Sequence, residues 1–263
     1  MRIEDLDAPR MAPGADDHIL RTLEAHGLHW DGPVLRQSAR LEHYAAALET
    51  LMAAGHCYPC GCSRREIADS AVHLSKEGVE GLVYPGTCRD GLHGREARAL
   101  RVRTDEEPYS FDDGAQGVVE QSILDAVGDF VVKRADGPFA YQLAVVVDDA
   151  AQGVTHVVRG ADLLLSTPRQ LHLQRLLGLP TPRYQHHPVA VDAAGAKLSK
   201  SAGAAAVDPA APGRNLLRAL SVLRQAPPSA LAAAAPAEVL AWAQKAWDPS
   251  RYGGIRTLLF NDY

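Results

Sequence analysis

Four cysteines constrain this chain more than any other feature. Cys57, Cys60, Cys62 and Cys88 all fall within residues 57–88 of a 263-residue sequence that has no others. The stretch around them, residues 57–95, is dense in Gly, Pro and charge and shows little hydrophobic periodicity. Such a segment builds no core of its own and needs a crosslink. In a chain of this size, thiols clustered this tightly read as metal ligands before they read as disulfides. A structural zinc ion takes four ligands in a tetrahedron, and the simplest set is all four cysteines. The ion would organise the insertion rather than take part in chemistry. Four free thiols are the alternative.

The remainder is ordinary globular sequence, 46% hydrophobic and 22% charged. Its 22 Gly and 17 Pro fall well short of the roughly 25–30% that marks low-complexity or collagen-like chains. No apolar run approaches the ~18 residues of a membrane span, since the best, Leu143–Val147, meets Asp148 and Asp149 at once. Met1–Asp5 is not followed by the apolar stretch of a signal peptide, so the expected location is the cytoplasm. A net charge of −5 argues against a dedicated nucleic-acid coat and leaves local RNA contact open.

Pattern predicts strands alternating with helices, an α/β class with an insertion. Residues 15–27 read as an amphipathic helix with Ile19, Leu20 and Leu23 inward and Asp16 and Asp17 at its N-terminus. A second helix is capped by Ser38, carries Leu41, Tyr44, Leu48 and Leu51, and stops at Gly55. Strands are expected at 100–103, 117–120, 130–134, 141–147, 154–158 and 188–191, with a hairpin turn at Asp136-Gly137. Thr167-Pro168 opens a helix that Gly178 closes, and two further helices are expected at about 214–225 and 237–247.

The loop 192–203 carries Lys197-Leu198-Ser199-Lys200-Ser201 between Gly195 and Gly203. Two lysines three apart in a glycine-flanked loop can fold over a polyphosphate where charge builds on a leaving group. A solvated basic loop is the alternative. His186-His187 reads as structural, because neighbours on a strand point apart and neither has a partner at ligand spacing. Arg64-Arg65 and the series Arg95, Arg98, Arg101 and Arg103 suit RNA phosphates or, equally, a solvated face.

Five blocks then decide the context. They are Arg2-Ile3-Glu4-Asp5-Leu6-Asp7, Gly27-Leu28-His29-Trp30-Asp31-Gly32, the segment Phe139 to Asp149, Val158-Arg159-Gly160-Ala161-Asp162-Leu163, and the lysine loop. In this order they resemble the catalytic domain of glutamyl-tRNA synthetases, class I aminoacyl-tRNA synthetases. The closest likeness is to the short glutamyl-queuosine tRNA(Asp) synthetase branch. Only residues 202–263 follow the lysine loop, less than the usual ~100–150 residues of a domain.

The resemblance implies a Rossmann-type class I nucleotide fold with a zinc-bearing insertion. Residues 1–201 would form the catalytic domain, with 57–95 as insertion and 192–203 as signature loop; 202–263 would be a short helical tail without an anticodon-binding domain. It implies that Glu4, Tyr141 and Arg159 bind L-glutamate, Glu4 at the ammonium and Arg159 at a carboxylate, and that Lys200 contacts ATP carrying Mg²⁺. It implies zinc on Cys60, Cys62, Tyr84 and Cys88, leaving Cys57 spare, whereas the spacing alone keeps Cys57 in play. The implied reaction activates glutamate as glutamyl-adenylate and transfers it to queuosine in the anticodon of tRNA(Asp), by a cytoplasmic monomer. The family begins with a strand, an ATP-gripping His-x-Gly loop and a helix ahead of the Arg-Ile-Glu-Asp block, so an N-terminal truncation is expected here. A fragment of a glutamyl-tRNA synthetase charging tRNA(Glu), or a non-catalytic zinc-stabilised module that binds glutamate or RNA, are the other readings.

Overall fold

The computed structural model describes residues 1–7, 11–68, 77–78, 81–198 and 206–260. Strand β1 (Arg2–Ile3) lies parallel to β2 (Leu35–Arg36), with helix α1 (Ala15–Ala25) between them in the chain. The inward stripe expected of α1 is only half realised. Leu20 and Leu23 are half-buried, but Ile19 keeps 44% of its surface exposed. The helix lies against the surface and buries no residue fully, and Asp16 in its first turn pairs with Arg36 of β2.

Helix α2 (Leu41–Ala53) buries Tyr44, Leu48 and Leu51 of the expected stripe but leaves Leu41, in its first turn, 48% exposed, and it ends before Gly55 in the left-handed region. Ser38 is not its cap. The serine sits in a preceding 3-10 turn and donates its hydroxyl and amide to Asp5, so a polar partner outside the helix outcompetes the capping geometry.

An antiparallel sheet follows in the order β3 (Cys57–Cys60), β6 (Ala99–Val102), β9 (Val131–Lys133), with the small hairpin β4 (Glu77–Gly78) and β5 (Gly81–Leu82) inside the insertion. Strands β7 (Tyr109–Asp113) and β8 (Gly117–Gln121) form a hairpin, and a single turn, α3 (Ile123–Ala126), leads into β9. The turn at Asp136-Gly137 exists, but its returning arm reaches only Phe139, which bridges Lys133.

The expected strand 141–147 is a helix, α4 (Tyr141–Ala151). Leu143, Ala144, Val145 and Val146 are buried on every side of it, and an all-apolar run carries no period to separate a buried helix from a buried strand. Asp148 on α4 is fully buried and accepts from Gln37 Nε2 (2.9 Å), Arg40 Nε (2.7 Å) and Tyr44 Oη (2.7 Å). One carboxylate thereby ties α4 to α2. Tyr44 also meets Phe139 edge-on, and these residues with Leu143, Val132 and Leu173 make the main core.

Beyond α4 the chain builds a βαβ unit: β10 (His156–Gly160), a 3-10 turn (Ala161–Ser166), α5 (Thr167–Leu177) and β11 (Arg183–His187). Pro168 stands in the first turn of α5 and Gly178 closes it in the left-handed conformation, as expected, although Ser166 rather than Thr167 is the residue before the helix. The sheet runs β10-β11-β7-β8, parallel across its first two joints and antiparallel in the hairpin. Strand β12 (Val189–Val191) pairs parallel with the tail strand β13 (Thr257–Leu259), and helices α6 (Pro212–Val222) and α7 (Pro236–Ala246) stand near the predicted places.

Candidate active site and metal centre

Open parallel sheets bind ligands beyond the carboxyl ends of their strands, because the loops there are free to carry chemistry. Arg159 is the penultimate residue of β10, at that end. Tyr141 opens α4, and Glu4 follows β1 directly. Glu4 and Tyr141 line one cleft of about 300 Å³ with Leu6, Gln37, Arg134 and Phe139. Burial raises the Tyr141 phenol above its ordinary value, while the Arg159 cation opposes that and the Glu4 carboxylate adds to it, so all three share one electrostatic environment.

Sequence reasoning missed two residues that organise Glu4. Arg2 reaches Glu4 Oε1 with Nη2 (3.1 Å) and donates through Nη1 to Asp149 (2.8 Å) and Gln152 (2.8 Å) of the α4 end. Burial drives the Asp149 carboxyl upward against the pull of Arg2. The doublet Asp148-Asp149 thus faces two ways, one acid toward α2 and the other toward β1. Its signal in the sequence was a pair of acids directly after an apolar run.

Arg159 is held on one edge. Its Nε donates to His186 Nε2 (2.9 Å) and its Nη2 to Thr167 Oγ1 (2.9 Å). His186, which the sequence gave no partner, is fully buried and sits at 2.6 Å from Asp113 Oδ2 through Nδ1. Asp113 also accepts the amides of Ala115, Gln116 and His186. Burial resists its ionisation, but these hydrogen bonds, led by that of the imidazole, outweigh it and hold the carboxyl below its usual range.

Of the lysine loop, Ser199, Lys200 and Ser201 lie outside the described residues. Lys197 pairs with Asp162 at 2.5 Å, and Val191 of β12 bridges to it. A Cβ on Gly160 would collide with Asp162 Oδ1, so the bare glycine of the Arg-Gly-Ala-Asp block lets that carboxylate fold back.

In the insertion, the sulfurs of Cys60, Cys62 and Cys88 lie within 4.8 Å of one another. Cys62 Sγ is 3.5 Å from Cys88 Sγ, and Tyr84 Oη is 3.4 Å from Cys60 Sγ and 3.8 Å from Cys62 Sγ. A tetrahedral ion at the usual Zn–S bond length spaces its ligands about 3.8 Å apart, so three thiols and one phenol fit the shell of such an ion. Burial and the adjacent Cys88 push the Cys62 thiol up to about 11, a crowding that a cation relieves. Cys57 takes no part. It stands on the other face of β3, in the main core beside Tyr44 and Leu48, and burial raises it to about 12.

Two of the arginines weighed for RNA contact turn inward to support this lobe. Arg101 is buried, stacks 3.7 Å from the Tyr84 ring centre and donates to Cys60 Sγ and the Asp129 carbonyl. Arg103 lies over Tyr58 and donates to the Arg89 carbonyl. Two residues apart, Arg101 in β6 and Arg103 just past its end project to the same side, and their inward partners make them framework rather than a solvated charge run.

A mixed sheet with parallel strands β10, β11 and β7, an arginine at the carboxyl end of β10 and a cysteine-bearing insertion set the terms for comparison with known enzymes. Residues 1–218 match the family model of class I tRNA synthetases (E and Q), catalytic domain. The chain is 57% identical over 248 residues to the glutamyl-Q tRNA(Asp) synthetase of Dechloromonas aromatica, covering 94% of this chain and 82% of that one. It is 53% identical over 259 residues to that of Geobacter sulfurreducens, covering 95% and 81%. It belongs to the glutamyl-Q tRNA(Asp) synthetase family of aminoacyl-tRNA synthetase-like ligases. In fold it is similar to the glutamate tRNA ligase of Elizabethkingia meningosepticum, solved in complex with its amino acid, with a TM-score of 0.72 at 20% identity. That likeness covers 99% of this chain, which spans 60% of the length of the solved one.

Proposed function

We propose that this chain activates L-glutamate with ATP and transfers the glutamyl group to queuosine in the anticodon of tRNA(Asp). A glutamate carboxylate oxygen bonds to the α-phosphorus of ATP, the α–β phosphoanhydride breaks, and pyrophosphate leaves with its electron pair. A queuosine hydroxyl then attacks the glutamyl carbonyl and displaces AMP. Such steps depend on positioning and on neutralising charge rather than on a protein nucleophile. Glu4 takes the ammonium, Tyr141 walls the amino-acid pocket, and Arg159 forks a carboxylate. Lys197 and Lys200 receive the phosphates, with Mg²⁺ carried by ATP. The cleft that Glu4 and Tyr141 share, with the charges of Glu4 and Arg159 both acting on the Tyr141 phenol, supports this reading.

The metal of the insertion is zinc on Cys60, Cys62, Cys88 and Tyr84, held for structure and remote from the chemistry in role. Residues 1–201 act as the catalytic domain around the 57–95 insertion, and 202–263 serve as a helical tail. The reading has the protein a cytoplasmic monomer; among the described residues no helix is long and apolar enough to cross a membrane.

Glutamate-dependent ATP–pyrophosphate exchange by the purified chain, followed by glutamyl transfer to queuosine-containing tRNA(Asp), is the test. Exchange that falls severely in Lys200→Ala, with folding and metal content kept, supports it. Charging of the terminal ribose of tRNA(Glu) would identify a glutamyl-tRNA synthetase instead. Glutamate binding with no exchange would leave a non-catalytic module.

A further inference from the structure

The carboxylate-reading arginine is aimed by a buried relay that crosses three strands. We propose that His186, itself fixed by Asp113, is the positioning residue that sets the orientation of Arg159 and so the affinity for the amino acid. This rests on the reading of Arg159 as a glutamate ligand.

The placement begins with strand register. β10 and β11 are parallel, and Arg159 is the Cα partner of His186, so both side chains leave the sheet on the same face. Asp113 ends β7, the next strand over, and faces His186 from the other side. Arginine only donates, so the 2.9 Å contact from Arg159 Nε requires a lone pair on His186 Nε2. The ring proton then sits on Nδ1 and is donated to Asp113 Oδ2 at 2.6 Å. Asp113 is in turn locked by three backbone amides. The imidazole can neither flip nor change tautomer without breaking a buried charged hydrogen bond.

The consequence falls on the guanidinium. Its Nε–Nη2 edge is spent on His186 and Thr167, which is also fully buried. Arg159 lies 5.3 Å over the Tyr184 ring, which limits swing out of plane. What stays available among the described residues is the Nη1–Nη2 end, a two-donor fork that matches a carboxylate. An arginine on a free stem loses rotamer entropy on binding, whereas this one has lost it in folding. The relay therefore acts on binding of the amino acid and leaves ATP binding alone.

Two substitutions separate aiming from packing. Asn at 186 places its amide where Nδ1 stood, keeping Asp113 company but leaving Arg159 Nε bare. Gln at 186 reaches as far as Nε2 and restores an acceptor. With the full chain, glutamate and ATP affinities are measured by calorimetry beside a thermal melt. His186→Asn is expected to weaken glutamate about tenfold or more while ATP affinity holds, and His186→Gln to recover most of it. Equal glutamate affinity in His186→Asn and wild type overturns the relay, as does a loss in which ATP falls in step or Gln rescues nothing. If His186→Asn does not fold, Thr167→Val decides, since it removes the other contact on the same edge and should give the same selective loss. Arg159→Ala marks where a failure lies. Unchanged glutamate affinity there refutes the ligand reading itself; a loss there with none in His186→Asn or Thr167→Val refutes the relay alone.

Discussion

Replacing Asp148 by alanine puts the packing argument at most risk. The carboxylate is wholly buried and takes three donors, from Gln37, Arg40 and Tyr44. Two of those residues are themselves buried, while the Arg40 side chain keeps 16% exposure and can turn to water. Removing one member of a buried charged network costs about 3–5 kcal/mol, mostly as polar groups left stranded. At roughly 2–4 °C per kcal/mol for a chain of this size, the melting temperature should fall by about 6–20 °C. Urea titration followed by far-UV circular dichroism measures the loss directly. The cause shows in a double-mutant cycle: Tyr44→Phe should cost less in the Asp148→Ala background than in wild type, with a coupling of about 0.5–3 kcal/mol. A loss under about 1 kcal/mol for Asp148→Ala, or strict additivity with Tyr44→Phe, would refute the reasoning.

Gly128 has φ +73° and a Cβ there would collide with the Tyr84 carbonyl, whereas Gly117 has the same φ and open space. Gly117→Ala should therefore show only the left-handed backbone cost of about 1 kcal/mol, and Gly128→Ala should melt lower still and bind less metal per chain by elemental analysis. A chelator or Cys88→Ser should strip the metal and lower the melting temperature, while Cys57→Ala keeps the metal, because that thiol faces the other core. Retained metal in Cys88→Ser would contradict the ligand set. Asp113 has a folded pKa below its ordinary value, so its contribution is present above the unfolded pKa of about 3.9 and lost as pH falls through the folded one. The stability gap between wild type and Asp113→Asn should accordingly narrow below about pH 4 in acid titrations; a gap constant with pH would contradict that assignment.

Much of this site lies in short, local signals. Turn and helix punctuation held at Gly55, Asp136-Gly137, Pro168 and Gly178, because glycine and proline act on backbone dihedrals regardless of tertiary context. Spacing alone left all four cysteines in play, and it was the family resemblance that singled out Cys60, Cys62, Tyr84 and Cys88, which come together. What the sequence hid depends on partners distant in the chain. Tyr141–Ala151 is helical because α2 and α5 pack around it, not because its valines favour helix. His186 looked idle since Asp113 and Arg159 reach it only through strand register. The Arg2–Asp149 pair spans the whole first half of the chain, beyond any periodic pattern.

Strand β12 is hydrogen-bonded along both edges. On one side Val189 takes the Arg256 carbonyl and Phe260 takes that of Val191; on the other, Leu198 donates to Ala190. The last strand of the tail and the first turn of the lysine loop thus grip opposite sides of a single three-residue rail. Slack introduced at one is passed to the other through the rail. Peeling away Thr257–Leu259 would bare one edge of that rail and leave it open to adventitious strand pairing. A strand some sixty residues further along the chain would then set how steadily Lys197 is presented.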